Sequence, residues 1–159
     1  MSGDGGNPVP DAVSVTIARL PGNDDLPLPA AATPASAGLD LRAAIGEPVI
    51  LDPGQRRLIP TGFRIALPVG YEGQVRPRSG LALRQGLTLL NSPGTIDSDY
   101  RGEIAVIAVN LGDQPMTLRR GDRIAQLVIA PVSRARLVEA ADLPGSDRGA
   151  GGFGHSGTR

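Results

Sequence analysis

Apolar positions along the chain fall in short runs that alternate with polar ones, and PG, TG, PVG and EG turns break them at close intervals. VSVTIARL (13–20) alternates well enough for a first strand. The following PGNDDLPLPAAATPASA is a Pro- and Ala-rich connection too irregular for a helix. In GLDLRAA (38–44), Leu39 and Leu41 fall on one face and Asp40 and Arg42 on the other, as in a short half-buried strand. Further strands are predicted over 49–51, 57–59, 63–67, 71–76, 88–90, 103–110, 116–118, 124–130 and 135–138. One short helix is expected in SGLALRQG, with Ser79 as N-cap and Gly86 as the left-handed residue at its end. About ten to twelve strands and one small helix make a mostly β fold: a sandwich, a jelly roll or a related barrel.

Composition narrows this picture. At 159 residues the chain is most simply one domain. Residues 1–11, rich in Gly, Pro and Asp, read as a disordered lead-in, 12–139 as the β domain, and 140–159 as a flexible C-terminal arm that has lost periodicity. With two Phe, two Tyr and no Trp, the core must be built from Val, Ile, Leu and Ala, and oligomer contacts are a natural source of further burial. The formal charge is zero and every one of the 16 basic residues is Arg, which argues against a nucleic-acid coat or an anionic-membrane binder. Without cysteine there is no disulfide, thiolate zinc site or cysteine nucleophile. No run approaches membrane-spanning length and the N-terminus lacks a signal peptide's basic start and apolar core, so a cytoplasmic protein is expected. The single histidine, His155, excludes His-rich metal sites and leaves acid–base chemistry to a carboxylate.

Four polar stretches interrupt the strand pattern. NSPGTIDSDYRGEI (91–104) sits between the apolar runs 86–90 and 104–111, at the tip of an expected hairpin. It offers the Asn91 amide, the Asp97 and Asp99 carboxylates and the flat face and hydroxyl of Tyr100, although a turn that caps only its own backbone would look much the same. In RPRSGLA (76–82), free N–H groups, the Ser79 hydroxyl and the Arg78 fork suit an anion; a plain N-cap is the simpler reading of the segment alone. RGDRIAQLV (120–128) places Gln126 within an apolar strand, where an outward-facing edge position suffices to explain it. RGAGGFGHSG (148–157) embeds Phe153 among glycines with no hydrophobic neighbour of its own, so the choice is a disordered tail or a flap that closes on a ligand.

Together with AGLDLRA (37–43), the segments PRSGLA (77–82), NSPGTIDSDYRGEI, RGDRIAQLV and RGAGGFGHSG resemble, in this order, the five motifs of the homotrimeric dUTPases. The likeness spans nearly the whole domain, and it implies a jelly-roll-like β-clip trimer that hydrolyses dUTP to dUMP and pyrophosphate with Mg²⁺. Such an activity limits uracil incorporation into DNA and supplies dUMP for dTTP synthesis. It further implies that Asn91, with the nearby backbone of Gly94, Thr95 and Ile96, pairs the uracil edge, that Tyr100 lies against the deoxyribose, and that Asp97 deprotonates the attacking water. Arg78, Ser79, Gly80 and Gln126 would contact the phosphates, and Asp40 would hold magnesium-bound water. Arg148 would meet the γ-phosphate, and Phe153, flanked by Gly152 and Gly154, would cover the uracil. In this family one site draws its hairpin, phosphate loops and tail from three subunits. Two alternatives differ in kind: a dCTP deaminase of related fold, recognised by ammonia release, and a nucleotide-sensing regulatory trimer, recognised by a dUTP-dependent protein partner.

Overall fold

The computed structural model describes residues 12–152. The lead-in expected over 1–11 lies outside the described residues. Eleven strands and one helix follow in order: β1 (Thr16–Arg19), β2 (Leu39–Arg42), β3 (Val49–Leu51), β4 (Arg56–Pro60), β5 (Phe63–Ala66), β6 (Tyr71–Arg76), α1 (Ser79–Gln85), β7 (Leu87–Leu89), β8 (Gly94–Ile96), β9 (Ala105–Asn110), β10 (Met116–Leu118) and β11 (Arg123–Pro131). They form four antiparallel groups, β1-β5, β10-β3, β2-β11-β6-β8 and β4-β9-β7. Alternation decides which face is buried: in β10, Met116 and Leu118 are inside and Thr117 is out. The inward residues of these groups meet in one core built on Leu41, Leu51, Ile59, Ile65, Val75, Leu87, Ile104, Val106, Ile124 and Leu127. It is the small aliphatic core that the scarcity of aromatics demands. Phe63 is the exception, buried with the guanidinium of Arg19 stacked 4.9 Å from its ring centre.

Strand β11 is the longest and lies in the middle of the four-stranded group, between β2 and β6. Its register sets Gln126 opposite Asp40 on one side and opposite Arg76 on the other. Directly opposed residues share a face of the sheet, so these three polar side chains lie in one row across it. The expected hairpin is present, since β7 pairs with β9. Between them the chain forms the short strand β8, which the polar, turn-rich sequence does not predict and which pairs with β6 in the other group. The hairpin tip is thereby held down at Gly73–Val75 rather than left as a free loop.

Two local expectations change. The N-cap of α1 is Arg78, in extended conformation and without a side-chain cap, and Ser79 is the first helical residue. Its hydroxyl makes no capping bond. The C-terminal expectation stands: Gly86 is left-handed at φ 70° and donates to the Ala82 carbonyl at 3.1 Å. Residues 135–138 do not form a strand; from Val132 to Gly152 the chain has no helix or strand and, through Ala150, is exposed. The alternation there lacks what a strand needs, a hydrogen-bonding neighbour within its own chain.

The Pro-rich connection after β1 is held by arginines. Arg120 binds both carboxylate oxygens of Asp25, at 2.9 and 2.7 Å, together with the Gly22 carbonyl and the Asn23 side chain. From the other side, Arg19 donates to the Asn23 and Leu26 carbonyls. The Arg120 hydrogen bond lowers the pKa of Asp25 below the ordinary carboxylate value. What this pair adds to stability is therefore full above the ordinary carboxylate pKa and is lost as acid carries the pH through the lowered one.

Candidate active site

Two clefts collect the polar residues singled out in the sequence. One, of about 380 Å³, opens over the row on the β2-β11-β6 face and is lined by Gly38, Asp40, Arg76, Arg78, Ser79, Gly80, Arg84 and Gln126. Asp40 is its only carboxylate, and both of its oxygens are engaged. Arg78 Nε lies 3.1 Å from Oδ1 and Arg123 NH1 3.2 Å from Oδ2. Arg78 is held a second time, donating through NH1 to the Arg123 carbonyl at 3.1 Å. Among the described residues its remaining NH2 has no acceptor, so the fork is oriented and one end of it is open.

Gln126 donates through Nε2 to the Pro77 carbonyl at 2.9 Å and so ties β11 to the strand–helix turn. The oxygen of the same amide stands where a side chain at position 38 would begin: a methyl group there would lie 2.1 Å from it. Only glycine leaves room for this amide. Gly80 plays a similar part beneath Arg84, whose NH2 would be 2.9 Å from a methyl at that position. Among the described residues lining it, guanidinium groups outnumber carboxylates, a charge balance suited to a multiply charged anion.

The second cleft, of about 410 Å³, is formed by the hairpin and its stem: Leu58, Asn91, Thr95, Ile96, Asp97, Tyr100, Glu103, Ala105 and Ile107. It joins an apolar floor to an amide, two carboxylates and a phenol, a combination suited to a flat heterocycle with a polar edge. Gly94 is buried and lets the Asn91 amide come close, since a methyl at 94 would lie 3.0 Å from Asn91 Nδ2. The Ser92–Pro93 bond is cis and Ser92 caps the end of β7 through the Leu89 carbonyl. Asp97 is exposed at the rim, where its carbonyl accepts the Tyr100 N–H at 3.1 Å. Asp97 and Asp99 also line a neighbouring hollow together, brought to the same side by the turn that the Tyr100 N–H closes on the Asp97 carbonyl.

The fold thus brings Asp40, Arg78, Ser79, Gly80 and Gln126 together, and separately brings Asn91, Thr95, Ile96, Asp97 and Tyr100 together. The two sets line different clefts. Arg148 and Gly152 lie on the exposed arm and line neither, with Arg148 Nε bonded to the Gly151 carbonyl at 2.7 Å inside the arm's own turn. Phe153 and Gly154 lie outside the described residues. Arg84, Arg123 and Glu103 are site residues that the sequence did not single out. A signal existed for two of them: Arg123 shares the RGDRIAQLV segment with Gln126, and Glu103 shares NSPGTIDSDYRGEI with Asn91, Asp97 and Tyr100. A larger cleft, about 720 Å³ between the end of α1 and the β9–β10 turn, does not hold this combination of groups among the described residues.

The sequence profile of the dUTPase family matches residues 24–157. The deoxyuridine 5'-triphosphate nucleotidohydrolase of Caulobacter vibrioides is 54% identical over 151 residues, covering 94% of this chain and 97% of that protein. The enzyme of the same name from Methylocella silvestris is 56% identical over 149 residues, covering 92% and 93%. Among solved structures, the dUTPase of Staphylococcus bacteriophage 80alpha with dUPNHPP superposes with a TM-score of 0.81 at 26% identity, over 91% of this chain and 99% of that one. A variant of the dUTPase from phage phi11 of S. aureus, in which a structural Mg(II) ion is coordinated, shares the fold at a TM-score of 0.72 and 23% identity, over 81% and 97%. More than half of the aligned positions coincide with each of the two bacterial relatives along nearly their full lengths, and the chain belongs to the dUTPase family.

Proposed function

We propose that the protein hydrolyses dUTP to dUMP and pyrophosphate in the cytoplasm, as a trimer whose sites are shared between subunits. The observation that carries this reading is the cleft over β2-β11-β6, where Arg76, Arg78 and Arg84 surround a glycine-floored hollow and the one carboxylate is committed to orienting Arg78. A triphosphate is the chemical match for it. The hairpin cleft takes the nucleoside: Asn91 with the Gly94–Ile96 backbone pairs the uracil edge, the aliphatic floor covers its faces, and Tyr100 stands against the deoxyribose.

Asp97 accepts a proton from water as that water's oxygen bonds to the α-phosphorus. The bond from that phosphorus to the bridging oxygen of the β-phosphate breaks in line, and pyrophosphate leaves. Arg78, its orientation already fixed, and the Ser79 hydroxyl, not used in capping, meet charge on the phosphate oxygens without reorganising. Among the described residues no three His, Asp or Glu side chains gather to hold a metal directly. The donor set instead fits Mg²⁺ bound mainly to the triphosphate, with Asp40 as the residue that would hold one of its waters; the ion would supply charge neutralisation. From the arm, Arg148 meets the γ-phosphate, and Gly152, Phe153 and Gly154 close over the base, excluding bulk water.

Two features support shared sites. The nucleoside and phosphate residues line separate clefts of one chain, and residues 132–150 run exposed with Leu137 94% and Leu143 84% accessible. An arm left exposed by its own chain is free to reach the site of a neighbouring copy. Complementation tests this. Asp97→Asn and Arg78→Ala chains, each inactive alone, are co-expressed and purified as mixed trimers through two different tags. Shared sites predict that mixing restores activity, because some sites then draw an intact hairpin and an intact phosphate loop from different chains. Mixed trimers as inactive as the parents would show that each site is built within one chain.

A further inference from the structure

Glu103 lines the nucleoside cleft, yet no step above uses it. Its carboxylate accepts the backbone N–H of Gly62 at 2.7 Å, across 41 positions of sequence. Gly62 forms the turn between β4 and β5 at φ +77°, and the Asn23 side chain fills the space where a methyl group would project, 2.7 Å away. That turn is fixed from outside, since Leu20 donates to the Gly62 carbonyl at 2.8 Å and Arg120 holds the Asn23 side chain. Next to it, the buried Thr61 donates both its N–H and its hydroxyl to the Ile104 carbonyl, at 3.2 and 2.6 Å, and Ile104 donates to the Phe63 carbonyl at 2.8 Å. Glu103 and Ile104 are therefore bolted to a turn braced from both sides, and among the described residues the Glu103 carboxylate is the only side-chain bolt that the hairpin stem supplies to it. On its other side the Glu103 carbonyl accepts the Tyr100 hydroxyl at 3.0 Å. Gly102 makes room for this, because a methyl there would lie 2.3 Å from the hydroxyl oxygen.

We propose that Glu103 is a positioning residue for sugar selectivity: by anchoring its own backbone to Gly62, it sets where its carbonyl holds Tyr100 against the sugar and so how strongly a 2′-hydroxyl is rejected. The inference rests on the reading of Tyr100 given above. A rigid stop rejects an extra hydroxyl that a mobile ring would yield to. Without the carboxylate, the N–H of the buried Gly62 loses its partner and the stem carrying the carbonyl gains freedom.

The test is pyrophosphate release from dUTP and from UTP by the full chain and by Glu103→Ala, Glu103→Gln and Tyr100→Ala, with melting temperatures recorded alongside. Glu103→Ala is expected to lower the preference for dUTP over UTP in kcat/KM by about tenfold, mainly by raising kcat/KM for UTP. Glu103→Gln, whose amide oxygen accepts the same N–H, restores it to within about twofold of the parent. Should Glu103→Ala not fold, Glu103→Asp, one methylene shorter and out of reach of Gly62, carries the same expectation. In the Tyr100→Ala background, loss of Glu103 should change the preference no further. Parental selectivity in Glu103→Ala, or an equal loss in Glu103→Gln, overturns the proposal. Parental selectivity in Tyr100→Ala overturns the reading of Tyr100 itself, whereas a loss there with none in Glu103→Ala overturns only the role of Glu103.

Discussion

Asp97→Asn should turn over dUTP about a thousandfold more slowly than the parent chain or worse, while its affinity for the unreactive analogue dUpNHpp stays within about threefold. The asparagine has the same shape and leaves the hairpin as it is. The backbone carbonyl of residue 97 still accepts the Tyr100 N–H, and β8 still pairs with β6. What disappears is the group that accepts the proton. No other base in the nucleoside cleft is equally placed, since the Glu103 carboxylate is engaged with Gly62 and Asp99 faces the neighbouring hollow. Steady-state pyrophosphate release and calorimetric titration separate the two effects. A variant that retains near-parental turnover would remove Asp97 from the reaction.

A chain ending at Leu143 is expected to lose about a hundredfold or more in activity while its melting temperature stays within a few degrees. All eleven strands and α1 lie before the cut. Among the described residues beyond it, the hydrogen bonds stay within the arm: Gly149 to Ser146, Gly151 to Arg148 and Arg148 to the Gly151 carbonyl. The arm therefore contributes little to the fold of its own chain, and its loss should be felt at the site. Full activity in the truncated protein would rule out a closing role for Arg148 and Phe153. A collapse in melting temperature would instead make the arm a structural strap.

The strand pattern was largely legible because in β5, β7 and β10 buried residues alternate with more exposed ones. Val49–Leu51, Tyr71–Arg76 and Met116–Leu118 coincide with their predicted bounds. β8 was not legible: three residues, Gly94, Thr95 and Ile96, behind a Pro-Gly turn signal become a strand because β6 offers them an edge, a partner distant in sequence. The reverse holds at 135–138, where alternation is present and a partner within the chain is missing. For the site, residue identities in the five segments were enough to name candidates, and the register of β11 explains why Asp40, Gln126 and Arg76 meet. Second contacts escaped. Nothing in the sequence says that Asp40 engages two arginines, that Gln126 braces Pro77 as well as facing the cleft, or that Glu103 reaches Gly62. Each depends on how loops distant in sequence fold against one another, and residue type alone does not encode that.

The most direct measurement is pyrophosphate release from dUTP and from dATP, dCTP, dGTP and dTTP, each with Mg²⁺ and with the metal chelated. The account predicts rapid release from dUTP with Mg²⁺, a loss of at least about tenfold on chelation, and rates lower by about a hundredfold or more for the other four. Comparable release from dCTP or dTTP, or ammonia release from dCTP in place of pyrophosphate release from dUTP, would contradict it.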